Sequence, residues 1–267
     1  MVELTPVPES GREGPLERRE RIRRQILSEG FARIDELAKS YNVSVMTVHR
    51  DIDALVAEGW LTKLRGGATA NPSALLESSV RDRSSAMRRQ KAAIARAAAG
   101  QLRHGQTIFL DDSTTAMALV PYLGERAPLT VVTNFLSVVA EIKDISGVDL
   151  IVLGGRYQRL QDGCYGMQTI DAIEQLHADV LFMSTTAVME GACYHRSEAT
   201  LMARRAMIRH AAQTVLMVDH AKFGRPAPHL LGRLDEFDLL ITDSGIDEAD
   251  LAEVRQHEIV VEVADPG

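Results

Sequence analysis

Two short amphipathic segments separated by a turn form the first clear pattern in the chain. Residues 33–41 (RIDELAKSY) place Ile34, Leu37 and Ala38 on one helical face, and the segment after Ser44 repeats apolar side chains at the same spacing. Ser44 stands where a helix N-cap residue is expected. Two helices joined by a turn of about four residues, the second capped by serine, predict a helix-turn-helix.

The flanking segments extend this motif to a small domain over residues 15–70. Residues 16–28 (LERRERIRRQILS) predict a preceding helix, because Ile22 and Ile26 recur at helical spacing between arginines. Residues 60–70 (WLTKLRGGATA) predict a strand, a glycine tip and a return strand. Such a hairpin after a helix-turn-helix is a wing, so we predict a winged helix-turn-helix domain.

From residue 84 to residue 267 short apolar runs alternate with amphipathic segments. After an Ala- and Arg-rich helix, near-continuous apolar strands such as TIFL, LTVVT and VDLIVL are separated by segments such as SVVAEIK and SEATLMARRAMIRHA. Buried parallel strands connected by helices show this alternation. The predicted fold class is α/β, with the winged domain joined to a larger, Rossmann-like, mostly parallel domain. We predict a disordered tail over residues 1–14 and a linker over residues 71–83.

Charge is unevenly distributed along the chain. Residues 16–103 carry 17 Lys and Arg against 10 Asp and Glu, whereas residues 104–267 carry 12 against 24. A basic segment suits a polyanion such as nucleic acid, because phosphate neutralisation supplies most non-specific affinity. Solvated helix faces without any partner would have the same composition.

Composition argues against several classes of protein. The chain is 45% hydrophobic and 25% charged, as in ordinary globular proteins, and it lacks an apolar run long enough to cross a bilayer. Its first residues lack the basic start and apolar stretch of a secretory signal. Cys164 and Cys193 are too few for a zinc cluster and form no C-x-x-C pair. We expect a cytoplasmic protein without a membrane partner, a metal or a cofactor.

The second helix of the motif has an open side opposite its apolar side. In a DNA complex that side enters the major groove, where arginine can bind guanine, threonine can contact base edges and methionine can touch a thymine methyl. A winged module that mediates dimerisation or binds RNA would have the same pattern. The predicted DNA-binding residues are Ser44, Met46, Thr47, His49 and Arg50 of this helix, and Lys63 and Arg65 at the wing.

The sequence resembles the DeoR family of bacterial transcriptional regulators. The resemblance is carried by RRERIRRQILSEG, IDELAKSYNVSVMTVHRDIDALVAEGWL and the wing residues RGGA, and it covers about residues 16–262. His49 is a departure, because the family usually has two consecutive arginines before the aspartate. A neutral histidine there removes one fixed positive charge, which could alter operator preference or pH dependence.

The resemblance implies a larger domain that is similar to ribose-5-phosphate isomerase and binds a small phosphorylated sugar or polyol. Its ligand loops would lie at the carboxyl ends of the parallel strands. Residues 111–115 (DDSTT) form the first loop, where hydroxyl and N–H groups at a helix N-terminus could bind phosphate. Ordinary helix capping by Ser113 or Thr114 is the alternative. Asp112 adds a negative charge there, and Ser113 replaces the usual glycine.

Three further loops match the family. Two of them, Thr133-Asn134 and Gly154-Gly155, directly follow strands. In the family these positions help shape the effector pocket, although plain turn residues would have the same pattern. In the third (DHAKFG), Lys222 is the strongest candidate, because its ammonium can bind an anionic sugar and Asp219 can orient it. A solvated loop lysine is the alternative. The predicted effector-binding residues are Asp111, Ser113, Thr114, Thr115, Thr133, Asn134, Gly154, Gly155, Asp219 and Lys222.

We expect a regulator, and members of the family mostly repress transcription until a sugar phosphate weakens operator binding. The alternative is a sugar-phosphate isomerase with a fused DNA-binding domain, which would need a carboxylate base near the reacting carbons. The residues after the strand DVLFMS provide none before Glu190, so we expect no enzyme. A ligand-free oligomeric scaffold is a third hypothesis. The expected partners are a double-stranded DNA operator, a phosphorylated sugar or polyol, and further copies of the chain.

Overall fold

The computed structural model describes residues 14–29, 31–57, 60–70 and 80–267. The chain divides into two compact units, Met1–Glu77 and Ser78–Gly267. Nearly all of the predicted tail and residues 71–79 of the predicted linker lie outside the described residues. Residues 80–83 are described, and they belong to a helix of the second unit rather than to a linker.

Three helices and a three-stranded antiparallel sheet form the first unit. The helices are α1 (Pro15–Glu29), α2 (Ile34–Ser40) and α3 (Val45–Ala57), and the strands are β1 (Phe31–Arg33), β2 (Leu61–Leu64) and β3 (Gly67–Ala70). The sheet order is β1-β3-β2, with β2 and β3 as the wing. Strand β1 was not predicted, because three residues are too few to show an alternating pattern.

The local sequence accounts for the start of α3 and for the wing. The hydroxyl oxygen of Ser44 accepts a hydrogen bond from the N–H of Thr47 at 3.1 Å, as an N-cap residue does. Gly66 at the wing tip has a φ of 78°, which favours glycine. At Gly67 a Cβ atom would come within 2.5 Å of the Phe31 ring, so glycine lets β1 pair closely with the wing.

A seven-stranded parallel sheet forms the centre of the second unit. Its strands are β4 (Thr107–Leu110), β5 (Leu129–Thr133), β6 (Val148–Val152), β9 (Ala178–Met183), β12 (Ala211–Met217), β14 (Leu239–Asp243) and β15 (Val260–Ala264). The order across the sheet is β15-β14-β12-β9-β4-β5-β6. Antiparallel additions, which were not predicted, are β7 (Arg156–Gln158) with β8 (Gly163–Tyr165), and β10 (Ala187–Met189) with β11 (Ala192–His195) and β13 (His229–Arg233).

Helices cover both faces of this sheet. They are α4 (Val80–Ser85), α5 (Arg88–Ala98), α6 (Thr114–Met117), α7 (Val120–Leu123), α8 (Leu136–Ile142), α9 (Met167–Glu174), α10 (Glu198–Arg209) and α11 (Glu248–Val254). Ile108 and Leu110 of β4 pack in one core cluster, and Phe109 between them packs in the other. This alternation fits a strand buried on both sides, and the predicted α/β class is confirmed.

Two predicted helices are interrupted. The predicted helix from residue 84 is divided into α4 and α5, because Met87 adopts a left-handed φ of 52°. Residues 115–123 (TAMALVPYL), for which the sequence predicts a single helix, instead contribute to the two short helices α6 and α7. No helix in the described part of the chain is long and apolar enough to span a bilayer.

The chain reverses its direction across the sheet at β4. It runs from β4 to β5 and β6 on one side, and it then returns to β9 on the other side of β4. In open parallel sheets a crevice forms outside the carboxyl ends of the strands at such a reversal, and ligands bind there. The topology therefore directs attention to the loops after β4 and β9.

Candidate functional site

The predicted DNA-binding face lies on the open side of α3. Met46 is 63% exposed, Arg50 is exposed, and Thr47 and His49 are half-buried. The buried side consists of Val48, Asp51, Ile52 and Leu55. The predicted readout positions therefore remain accessible while the apolar stripe packs into the unit.

Three of the predicted DNA contacts, Ser44, Thr47 and Lys63, already have partners within the unit. Ser44 caps α3, and its hydroxyl also lies 2.9 Å from the hydroxyl of Thr47. The ammonium of Lys63 on β2 lies 2.6 Å from a carboxylate oxygen of Asp53 on α3. Both groups are well exposed, so this ion pair stays accessible to competing anions. Arg65 at the wing tip is exposed.

The loop after β4 contains the first group of predicted effector residues, and all five of its side chains are buried. One carboxylate oxygen of Asp111 accepts the N–H of Ser113 at 3.0 Å, and the other accepts the N–H of Ser184 at 3.1 Å. Asp111 thereby ties the β4 loop to the end of β9. The hydroxyl of Ser113 accepts the N–H of Ala116 at 3.0 Å, so Ser113 caps α6, as the alternative interpretation held.

Arg204 of α10 forms ion pairs with both adjacent aspartates of this loop. Its guanidinium lies 3.1 Å from a carboxylate oxygen of Asp111 and 3.0 Å from one of Asp112. It also donates to the carbonyl of Ser184 at 2.6 Å. Burial opposes the ionisation of Asp112, but Arg204 and Arg83 outweigh it and lower the pKa of this carboxyl. The negative charge of Asp112, which was expected beside the phosphate site, is therefore offset by Arg204 and Arg83.

Lys222 contacts the β4 loop and the end of β9. Its ammonium lies 2.8 Å from the hydroxyl of Ser184 and 3.4 Å from that of Thr115. A carboxylate oxygen of Asp219 lies 3.5 Å from the same nitrogen, so Asp219 can orient it. Burial and the positive charge of Arg204 lower the pKa of Lys222, against the attraction of Asp219.

A second lysine at this loop was not predicted. The ammonium of Lys91 on α5 donates to the hydroxyl of Thr114 at 3.0 Å and to the carbonyl of Arg83. Lys91 is 6% exposed, and no carboxylate of the described residues lies within 4.0 Å of it. Burial, followed by repulsion from Lys222, lowers its pKa to about 8. Among the described residues Lys91 thus has no carboxylate in direct contact, and only the more distant charge of Asp219 attracts it. An anionic ligand would stabilise this buried cation.

Thr133 and Asn134 lie at the end of β5, the strand next to β4. The hydroxyl of Thr133 accepts the N–H of Phe135 at 3.1 Å, and the amide nitrogen of Asn134 donates to the carbonyl of Cys164 at 2.9 Å. The amide oxygen of Asn134 is buried and has no hydrogen-bond partner. Buried acceptors are normally satisfied, so this oxygen could accept a ligand hydroxyl.

Gly154 and Gly155 have contacts that a plain turn explains. The hydroxyl of Thr169 donates to the carbonyl of Gly154 at 2.7 Å. Gly155 has a φ of 146°, and a Cβ there would come within 2.2 Å of the Thr169 hydroxyl. Glycine is needed at position 155 for the approach of α9, so an effector contact is not required to explain it.

Sequence reasoning missed Arg204 and Lys91, although both leave a signal. Lys91 lies at helical spacing with the buried residues Ile94, Ala95 and Ala98, and Arg204 is buried among the apolar residues of α10. A charged residue on the apolar stripe of a helix is rarely buried without a partner. Such positions could have been identified as site candidates.

The carboxylate considered for the isomerase hypothesis lies at a turn. Glu190 is exposed, with a φ of 51°, between β10 and β11. Asp111 and Asp112, the two buried carboxylates of the β4 loop, are both bound to Arg204. A free base for proton abstraction is therefore not found among the described residues of this loop.

Two family models cover most of the chain. A DeoR-like helix-turn-helix domain matches residues 18–74, and a DeoR C terminal sensor domain matches residues 86–244. The chain belongs to the DeoR family. These models describe a DNA-binding regulator with a sensor domain and not an enzyme, as the sequence predicted.

Curated relatives match this chain over most of its length and most of their own. The chain is 32% identical to the HTH-type transcriptional regulator YgbI of Escherichia coli (strain K12), over 88% of this chain and 92% of that protein. It is 28% identical to the glycerol-3-phosphate regulon repressor of the same organism, over 89% of this chain and 94% of that protein. These likenesses span both units of this DeoR-family chain.

Among solved structures, a D-ribose-5-phosphate isomerase in complex with phospho-erythronic acid matches 50% of this chain and 52% of its own, with 15% identity and a TM-score of 0.38. A likeness this distant assigns no ligand or activity. The similarity to the isomerase that the sequence implied stays a prediction.

Proposed function

We propose that this DeoR-family protein is a transcriptional repressor that binds a duplex operator through α3 and is released by a phosphorylated sugar or polyol. The DNA-binding part rests on the accessible side of α3, where Met46, Thr47, His49 and Arg50 face away from the core. Lys63 and Arg65 of the wing would contact phosphates or the minor groove. A repressor of this kind acts in the compartment that holds the DNA, the bacterial cytoplasm.

One observation carries the effector assignment. Lys91 and Lys222 each place an ammonium beside one of two adjacent threonine hydroxyls in the loop after β4. The ammonium of Lys91 has no carboxylate within 4.0 Å in the described part of the chain. A phosphate group between Thr114 and Thr115 would supply the missing negative charge and accept from both hydroxyls and both lysines.

The non-phosphate part of the effector would lie towards β5. The unsatisfied amide oxygen of Asn134 can accept a hydroxyl hydrogen, and the carboxylate of Asp219 can accept another. An aliphatic ligand would leave the Asn134 oxygen unpaired, at a cost of about 1–3 kcal/mol. The site therefore favours a polyhydroxylated phosphate ester over an apolar one.

We further propose that the protein acts as a homo-oligomer. A single winged domain covers too little DNA for strong selectivity, and paired domains reading repeated half-sites would correct this. Sedimentation that shows monomer alone at micromolar concentration, both with and without operator DNA, would contradict this part.

A ligand screen with a matched variant tests the effector assignment. Full-length protein would be heated with a panel of phosphorylated sugars and polyols, because a ligand that binds the native state raises the melting temperature. The best compound should also weaken operator binding. Lys222→Ala should lose both responses while apo-protein DNA binding persists, whereas Lys143→Ala, an exposed lysine beside Asp144, should keep both.

Equal calorimetric affinity of wild type and Lys222→Ala for that compound would contradict the site. A compound that binds but leaves operator affinity unchanged would contradict the regulatory role. Linkage makes the second test symmetrical, because DNA must weaken effector binding by the same factor by which the effector weakens DNA binding.

A further inference from the structure

Two arginines of α1 share one carboxylate of α3. The Nε atom of Arg18 lies 2.7 Å from one carboxylate oxygen of Asp51, and the Nε atom of Arg19 lies 2.9 Å from the other. Asp51 is 1% exposed. One negative charge thus faces two positive charges, and the group as a whole retains an excess positive charge.

Arg19 is the partner that keeps unused donors. Its side chain is 32% exposed, whereas that of Arg18 is 11% exposed. Arg19 contacts Asp51 through Nε alone, and its two terminal amino groups have no acceptor among the described residues. A guanidinium fixed by Nε still presents a planar pair of N–H donors, the arrangement that binds a phosphate with two hydrogen bonds.

The position of Asp51 places Arg19 beside the predicted readout face. Asp51 and Thr47 are four residues apart on α3, so they are neighbours on its surface. Thr47 belongs to the readout face, whereas Asp51 is buried next to it, so Arg19 is bound to α3 one helical turn from that face. Lys63 of the wing is bound to Asp53, which lies on the open side of α3. Cations from α1 and from the wing are thus both attached to carboxylates of α3 itself.

We propose that Arg19 binds a backbone phosphate at the edge of the groove that α3 enters, and that Asp51 is the residue that positions it. This inference rests on the proposed DNA-binding function. A helix in the major groove is bordered by phosphates of both strands, and contacts to these phosphates fix the register of a protein on DNA. Anchoring the guanidinium before binding reduces the entropy lost when the contact forms.

Salt dependence tests the phosphate contact directly. The probe is a duplex that the full-length wild-type chain enriches from a random-sequence pool. Its affinity is measured by fluorescence anisotropy at KCl concentrations from roughly 50 mM to 300 mM, where counterion release dominates the salt dependence. Arg19→Gln should reduce the log–log slope by about 0.9 for each bound domain and weaken binding about tenfold at 0.1 M salt. Lys39→Gln removes the same charge from an exposed position in the last turn of α2, and it should leave the slope unchanged.

The variant Asp51→Asn distinguishes the role of Asp51 in positioning Arg19 from the effect of its negative charge on DNA binding. This change removes a negative charge near DNA, so electrostatics alone predicts tighter binding. Loss of the anchor predicts the opposite, because an amide oxygen can accept from one arginine while the amide nitrogen repels the other. We expect weaker DNA binding and a smaller slope for Asp51→Asn, with thermal melting used to confirm that each variant is folded.

An unchanged slope for Arg19→Gln, or an equal decrease for Lys39→Gln, would overturn the inference while wild-type DNA binding kept the proposed function intact. Tighter binding by folded Asp51→Asn would overturn the positioning role. Failure of the wild-type chain to enrich any duplex would instead remove the proposed function and this inference together. Should Asp51→Asn fail to fold, Arg19→Gln with its Lys39→Gln control decides the question alone.

Discussion

The Nε atom of Arg204 lies 3.0 Å from a carboxylate oxygen of Asp112, and both side chains are almost wholly buried at the carboxyl edge of the parallel sheet. The other carboxylate oxygen of Asp112 accepts the hydroxyl of Tyr165 at 2.7 Å. Arg204 thereby connects α10, the β4 loop and β8. This guanidinium therefore helps to hold the β4 loop in its observed arrangement.

We expect Arg204→Met to destabilise the second unit by about 3–5 kcal/mol, because Asp111 and Asp112 would remain buried without their cation. Equilibrium urea unfolding of the full-length chain measures this loss. Arg209→Met provides the control on the same helix, since Arg209 pairs with Glu174 at 3.5 Å and both side chains are about half exposed. That variant should lose no more than about 1 kcal/mol. Similar losses for both variants would contradict the structural role of Arg204.

The buried Lys91 should make stability depend on alkaline pH. Burial, followed by repulsion from Lys222 and Arg83 and against the attraction of Asp219, lowers its pKa from an ordinary value of 10.5 to about 8 in the native protein. Between these two values the unfolded chain binds more protons at this residue, so its contribution to the unfolding free energy rises with pH. The unfolding free energy of the wild type minus that of Lys91→Met should therefore increase from pH 8 towards pH 10. Parallel curves for the two proteins would exclude this effect.

An anionic effector should reverse the shift at Lys91, because its negative charge favours the protonated ammonium. Effector affinity should then decline as the pH rises above 8. Calorimetry of the best phosphorylated ligand in two buffers of different ionisation enthalpy should show net proton uptake near pH 8 for wild type and less for Lys91→Met.

Gly154 and Gly155 offer a paired test of the turn interpretation. Gly155→Ala should destabilise the second unit by about 2 kcal/mol or more, because the new Cβ would overlap Thr169 and the backbone of Tyr165 at a strained φ. Gly154→Ala meets no atom within 4 Å and should be tolerated. Thermal melting compares the two. If Gly154→Ala melted normally but lost effector binding, Gly154 would belong to the effector site and not to a plain turn.

Readout by α3 predicts a sequence-dependent effect of Arg50. Arg50→Ala should weaken binding to the selected duplex by about 1–3 kcal/mol and relax the preference at one base pair. Footprinting and competition with single-base variants of the duplex measure both effects. A footprint of unchanged strength and sequence would place the readout elsewhere. This outcome differs from that expected for Arg19→Gln, which should weaken binding to all sequences equally.

The sequence by itself determined the elements and their class. The helical spacing in α2 and α3, the Ser44 cap and the glycine wing tip are local features, so they can be recognised within a few residues. The near-continuous apolar strands of the second unit required burial on both faces and therefore helices on both sides. Strands β1, β7, β8, β10, β11 and β13 escaped prediction because each has only three to five residues. The pairing of β1 with β3 and of β13 with β11 also depends on distant segments.

Tertiary structure alone decided which charges meet. Arg204 reaches Asp112 across 92 residues, and Lys222 reaches Ser184 across 38 and Thr115 across 107. Lys222 and the β4 loop could be expected at one edge, because parallel strands end there together. Lys91 and Arg204 could have been noticed on the apolar stripes of their helices, but the sequence does not show which groups they and Arg19 contact. Only the packing of the helices against their neighbours removes water from these groups and determines their partners.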